Sequence, residues 1–245
     1  MEVAFPVVFA AMLGFSHAFE ADHLLAVSSI VTRRNSVWLA IKDGIAWGLG
    51  HTSTIFLIGL MIILGKVAIT EKTFHYFEAA VGAMLVGLGL LRLRFLWKNG
   101  GATPPHMHLE TFFFSKKQRR QNAIQVPFRP ANFNKETSAD MLRFAPGQES
   151  HRLAYFVGLV HGLAGSGALV LLVMSQIPGP AAAMGYLLVF GLGSIGGMLL
   201  ASGVFSLPFS KKITTNATLQ IGLTLLSSLL CVGYGMQVIV ENLTS

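Results

Sequence analysis

A single cysteine, Cys231, occurs in the 245-residue chain. One thiol closes no disulfide and forms no dithiol pair, so neither a disulfide scaffold nor paired-thiol redox chemistry fits within one chain. Charge is scarce as well. Only 12% of residues are Asp, Glu, Lys or Arg against 53% hydrophobic ones, whereas a soluble domain carries about 25% charged residues. Two motifs are also missing. Without a G-x-x-x-x-G-K-[ST] loop there is no P-loop ATPase to drive the chain, and without H-E-x-x-H there is no zinc-protease signature.

What the chain does have is long apolar runs, at about residues 4–31, 45–65, 75–96, 153–175, 182–206 and 217–240. Each is at or above the ~20 residues needed to cross a bilayer as a helix. The expected fold is therefore an all-α polytopic membrane protein of about six transmembrane helices. The first run follows Met1-Glu2 with no basic region, is too long for a signal peptide and contains Glu20 and Asp22, so it reads as a retained span.

The net charge of +7 is explained by topology and requires no nucleic acid. With both termini outside the cytoplasm, 16 of the 18 Lys and Arg residues fall on the cytoplasmic side: Arg33, Arg34 and Lys42, eleven from Arg92 to Arg152, and Lys211 with Lys212. Lys66 and Lys72 fall on the other. This is the positive-inside pattern, for a bacterial inner membrane or an organelle membrane.

Two segments of the chain match each other. At an offset of 144, Leu13-Gly14-Phe15-Ser16-His17-Ala18 aligns with Val157-Gly158-Leu159-Val160-His161-Gly162, and at 143, Gly48-Leu49-Gly50-His51 aligns with Gly191-Leu192-Gly193-Ser194. The third spans give no match. The reading is a duplicated three-helix unit, residues 1–98 and 152–245, joined by a basic cytoplasmic loop at 99–151. Because three is odd, the second copy is inverted across the membrane, which commonly puts a binding site near midplane between the repeats. The competing explanation is that glycine-rich spans resemble one another because all need close packing.

The chemistry concentrates in the first two spans, which carry His17, Glu20, Asp22 and His23, then His51 followed by Thr52, Ser53 and Thr54. A charged residue at mid-membrane costs about 2.5–3.5 kcal/mol even on a lenient scale. A divalent transition metal would compensate this set, since imidazole nitrogen with carboxylate oxygen suits nickel, zinc or copper better than calcium or magnesium. At about 100° per residue, His17, Glu20 and His23 fan across roughly 120° of a helix and Asp22 points some 140° from His17. Either the helix is unwound between Gly14 and His23, or Asp22 orients a histidine on a neighbouring helix. The bland alternative is a buried hydrogen-bonded network without metal.

His161 occupies the repeat position of His17, but Gly162-Leu163-Ala164-Gly165-Ser166-Gly167-Ala168 follows it, small residues that would let the fourth span approach the first. It reads as a ligand or as a satisfied polar residue. Glu78 and Arg92, near the ends of the third span, read as membrane-interface residues. In the loop, His106 and His108 are weak candidates for collecting metal, and Lys116-Lys117-Gln118-Arg119-Arg120 reads as a topology signal in contact with lipid headgroups.

His17-Ala18-Phe19-Glu20-Ala21-Asp22-His23 resembles the H-A-x-[DE]-A-D-H signature of the nickel/cobalt transporter superfamily (NicO/NiCoT), and Leu49-Gly50-His51-Thr52-Ser53-Thr54 is similar to its second motif, L-G-H-S-[ST]-V. The resemblance implies that His17, Asp22, His23 and His51 contribute to metal selection and passage. The chain departs from the family in having Ser28 and Ser29 after His23, where an acidic residue and Asn are common. Its His161-Gly162-Leu163-Ala164-Gly165-Ser166 segment is more like the short transporter-like branch associated with urease accessory functions.

The expected function is secondary transport of nickel or cobalt through His17, Glu20, Asp22, His23, His51 and His161, with no cofactor beyond the transported ion. The partners expected are the ion, membrane lipids and a metallochaperone or a urease or hydrogenase maturation protein. Two other classes compete: an intramembrane metal-dependent enzyme, for which no nucleophile and base arrangement is visible, and a non-transporting accessory subunit.

Overall fold

The computed structural model describes residues 4–32, 34, 36–65, 70–98, 151–163, 177, 179–210 and 217–244. The basic loop of 99–151, apart from His151, and most of the small-residue segment after His161 lie outside them, so His106, His108 and residues 164–168 are not placed. The described residues form helices α1 (Ala4–His17), α2 (Ala21–Val31), α3 (Val37–Gly65), α4 (Glu71–Lys98), α5 (Arg152–His161), α6 (Pro180–Ser206) and α7 (Ala217–Thr244), with a short 3-10 turn at Leu207–Phe209 and no strand among them. Residues 1–107 and 154–245 make one compact unit, and 108–153, nearly all outside the described residues, make a second.

Four helices, at Val37–Gly65, Lys72–Trp97, Pro180–Phe209 and Thr218–Thr244, are long and apolar enough to cross a membrane. At ~1.5 Å per residue each is about 40 Å long, beyond the ~30 Å hydrocarbon core. Large apolar side chains point outwards, Leu64 and Leu192 each being 68% exposed, as in a protein whose solvent on that face is lipid. The chain is thus an integral, all-α membrane protein.

The first apolar run is divided. Its 14-residue α1 and 11-residue α2 are separated by a turn over 18–20, in which the Phe19 N–H donates to the Ser16 carbonyl and the Glu20 N–H to that of His17. Ala, Phe and Glu are ordinary helix residues and neither Gly nor Pro is present, so intrinsic propensity does not break the helix here. The break instead accompanies packing and side-chain contacts: Ala18 is buried against Gly197 of α6 and His17 turns to Glu20. The second run also differs from its expected bounds, since α3 begins at Val37 and includes Lys42 and Asp43. Asp43 is buried and held by Arg34 with bonds of 2.5 and 2.8 Å.

Glycines set the helix contacts. Gly14 lies against the Phe190 carbonyl and Gly193 against that of Ala11, joining α1 to α6; Gly158 lies against the Trp47 carbonyl and Gly50 against that of Tyr155, joining α5 to α3. A methyl group at any of the four would collide with that backbone, the arrangement by which small residues bring membrane helices together. Gly48 meets Ile195 and Gly191 meets Thr52, so α3 and α6 run antiparallel past each other. Gly162 packs on His51 and Thr54. In its described part, then, the small-residue segment approaches the second apolar run, and residues 164–168, on which the rest of the expected contact with the first run depends, lie outside the described residues.

Helices α4 and α7 pair antiparallel through Gly82 and Gly235, and α2 packs against both. Arg92, read as an interface residue, is buried among the helices: its Nη1 donates to the Ser29 carbonyl at 2.9 Å, near the carboxyl end of α2, where the helix dipole favours a cation. Cys231 donates to the Leu25 carbonyl at 3.3 Å and lies 3.2 Å from Ser29 Oγ.

Candidate metal centre

The break in the first run puts His17 at the last residue of α1 and His23 in the first turn of α2, so the two imidazoles converge from different helices. Their ring centroids are 4.4 Å apart, and His51, from the middle of α3, lies 5.3 Å from His17 and 5.2 Å from His23. His161, at the end of α5, lies 4.1 Å from His23. All four are buried, none more than 4% exposed.

Carboxylates orient three of these rings. Glu20 Oε1 is 2.8 Å from His17 Nδ1. Asp22 Oδ1 is 3.0 Å from His23 Nδ1 and also accepts from the His23 backbone N–H, while Asp22 Oδ2 is 2.9 Å from His161 Nε2. The opposite nitrogens have no hydrogen-bond partner among the described residues: Nε2 of His17, Nε2 of His23, Nδ1 of His161 and both nitrogens of His51. Buried polar atoms are normally satisfied. Five such atoms in one cluster are a set of lone pairs and N–H groups held ready for something else, and carboxylate-backed imidazoles are the usual arrangement around a bound metal.

Two groups of potential ligand atoms each lie within 4.8 Å of one another: His17, His23 and His51, and Asp22, His23 and His161. A metal with imidazole bonds of about 2.1 Å needs ligand atoms about 3–4 Å apart, so either group requires only small shifts. Both possibilities left by helical geometry occur together. The helix is broken, and Asp22 reaches a histidine on a neighbouring helix. The structure brings together all six sequence candidates, with Glu20 the outermost at 49% side-chain exposure.

Two residues beside the site had not been singled out from the sequence. Trp47, from α3, lies 5.5 Å from His23 and 5.7 Å from His161, and Phe190, from α6, lies 5.8 Å from His17. Both are almost completely buried. The signal was available: Trp47 and Phe190 stand 143 residues apart, directly before the matched glycines Gly48 and Gly191.

Comparison with known proteins places this geometry. No family model matches the chain, and no solved structure matches it. The urease accessory protein UreH of Bacillus sp. (strain TB-90) is 32% identical over 214 residues, 86% of this chain and 82% of that protein. The nickel transporter NicT of Mycobacterium tuberculosis is 29% identical over 82 residues, 31% of this chain and 22% of that protein. Neither name is that of an enzyme. The extent of the first match, on a chain whose signature residues meet in one buried cluster, decides the family: the chain belongs to the nickel/cobalt transporter superfamily, in the branch of the urease accessory protein UreH.

Proposed function

We propose that the protein is a secondary carrier of a divalent transition metal, nickel or cobalt, with an intramembrane site built on His17, His23 and His51. The observation that carries this reading is the set of nitrogens on those three buried rings that have no partner among the described residues, with His17 and His23 held from behind by Glu20 and Asp22. The naming of one relative as a nickel transporter favours nickel. Lacking an ATPase motif, the carrier draws on a gradient or on trapping of the ion inside the cell.

The frame for movement is an inverted pair of repeats. Contacts related by the offsets of 144 and 143 recur on both sides: Gly14 on Phe190 and Gly158 on Trp47, Gly193 on Ala11 and Gly50 on Tyr155, Gly48 on Ile195 and Gly191 on Thr52. Such pairs, with α3 and α6 antiparallel, fit a two-fold axis lying across the helices. With both termini outside the cytoplasm, the basic loop of 99–151 faces a cytoplasmic metallochaperone or maturation protein. The name of the other relative favours urease as the recipient system.

The test is total cell nickel and cobalt, by elemental mass spectrometry, in a bacterial host lacking its own importers. Accumulation above the empty vector that is lost in His17→Ala and His23→Ala at matched membrane expression supports an importer, and depletion supports an exporter. No change for either metal removes the carrier reading. In that case a stable complex with a urease maturation protein would support the accessory role that the name of the longer-matching relative suggests.

A further inference from the structure

We propose that the ion occupies two adjacent stations that share His23: a three-imidazole station of His17, His23 and His51, and a second of Asp22, His23 and His161. This rests on the carrier reading above and adds to it a path through the site.

His23 sits at the centre of the cluster, its ring 4.4 Å from that of His17, 5.2 Å from that of His51 and 4.1 Å from that of His161. Its two nitrogens serve different neighbours. Nε2 has no partner among the described residues, and Nδ1 lies 3.0 Å from Asp22 Oδ1. The Asp22 carboxylate then spans to His161 Nε2 at 2.9 Å. These separations are ones that an ion with bonds of about 2.1 Å can bridge after small outward shifts. The His51 and His161 rings are 6.3 Å apart, and neither group of mutually close ligand atoms contains both. One ion therefore does not take all four imidazoles at once.

The fold gives a reason for the second station. His17 and His161 occupy equivalent repeat positions: each ends a helix, each is followed by a turn, and each lies beside an aromatic ring, Phe190 at 5.8 Å and Trp47 at 5.7 Å, which are themselves equivalent. A two-fold exchange of the repeats turns the surroundings of His17 into those of His161. The second copy lacks the rest of the set, with Ser166, Gly167 and Ser194 where the first has Asp22, His23 and His51. Its station must borrow Asp22 and His23. Sharing a ligand also keeps the ion bound during transfer, because ligands exchange one at a time and the ion is never stripped within a low-dielectric interior.

The experiment uses the full-length protein in lipid nanodiscs and proteoliposomes, with Ni(II) as probe. X-ray absorption reads the ligand set and entrapped dye reads uptake. Expected is one ion per chain, an imidazole-only set in His161→Ala and His161→Gln, and a carboxylate-containing set in His51→Ala. Uptake should fall roughly ten- to a hundredfold in each, and His23→Ala should bind no ion. Two variants at His161, each checked for an unchanged melting point, separate loss of a ligand from loss of the fold. Identical ligand sets in His51→Ala and His161→Ala, loss of binding in both, or normal uptake in His161→Ala would overturn the two-station path. Wild-type protein that binds no nickel would instead overturn the carrier reading on which it stands.

Discussion

Asp22 Oδ2 lies 2.9 Å from His161 Nε2, a contact between residues 139 positions apart that ties the start of α2 to the end of α5. Through its other oxygen the same carboxylate holds His23. One side chain thus sets the angle of two imidazoles from two different parts of the chain.

Asp22→Asn keeps the volume but replaces one acceptor oxygen by a donor, so one of the two rings loses its orienting partner. Groups that hold metal ligands from behind typically matter by ten- to a hundredfold in affinity or activity. Nickel uptake should fall by roughly that factor, with protein still in the membrane at normal levels. Uptake within twofold of wild type, on the order of the experimental scatter, would show that the rings orient without it.

Glu20→Gln should be milder. Glu20 is 49% exposed, and its side-chain contact is with His17, so water can take over part of its role. The expected result is a rise in the half-saturating metal concentration with maximal rate nearly kept, read from the concentration dependence of uptake in the same vesicles. A collapse of maximal rate as large as that of Asp22→Asn would place Glu20 on the ion itself.

Gly14→Ala and Gly158→Ala should destabilise the protein to similar extents, because each methyl group would meet a backbone carbonyl, Phe190 in one case and Trp47 in the other. Overpacking of this kind costs about 1–3 kcal/mol. The melting temperature in detergent should drop in both. Gly87→Ala and Gly222→Ala, where an added methyl meets nothing within 4 Å, should leave it unchanged or slightly raised.

Ser29→Cys should form a disulfide with Cys231 on mild oxidation, since Ser29 Oγ and Cys231 Sγ are 3.2 Å apart and a second sulfur needs only a modest approach to bonding distance. Because Cys231 is the one cysteine of the chain, the assay is unambiguous: denatured wild type takes up one maleimide per chain, and the oxidised variant should take up none. Persistent labelling of both thiols would mean that α2 does not sit on α7 in the membrane.

Much of this protein was legible in its composition and spacing. Apolar runs longer than a bilayer is thick required an all-α membrane fold, because no other structure of such residues satisfies its backbone in lipid. The pairing of His17, Glu20, Asp22, His23 and His51 marked the site for a related reason: ionisable groups are too costly at that depth to be there without a partner.

Other features depended on neighbours that local sequence does not name. Nothing in Ala18-Phe19-Glu20 ends a helix, and the turn there comes with the burial of Ala18 on α6 and the meeting of His17 with Glu20. The place of Arg92 near a span end gave no sign that α2 would present the Ser29 carbonyl to it. Whether Asp22 would serve its own helix or another was undecided until His161 arrived from the far half of the chain. Periodicity and cost in the bilayer are properties of residue types and order, whereas the partner of a buried polar atom is a matter of which helices pack together.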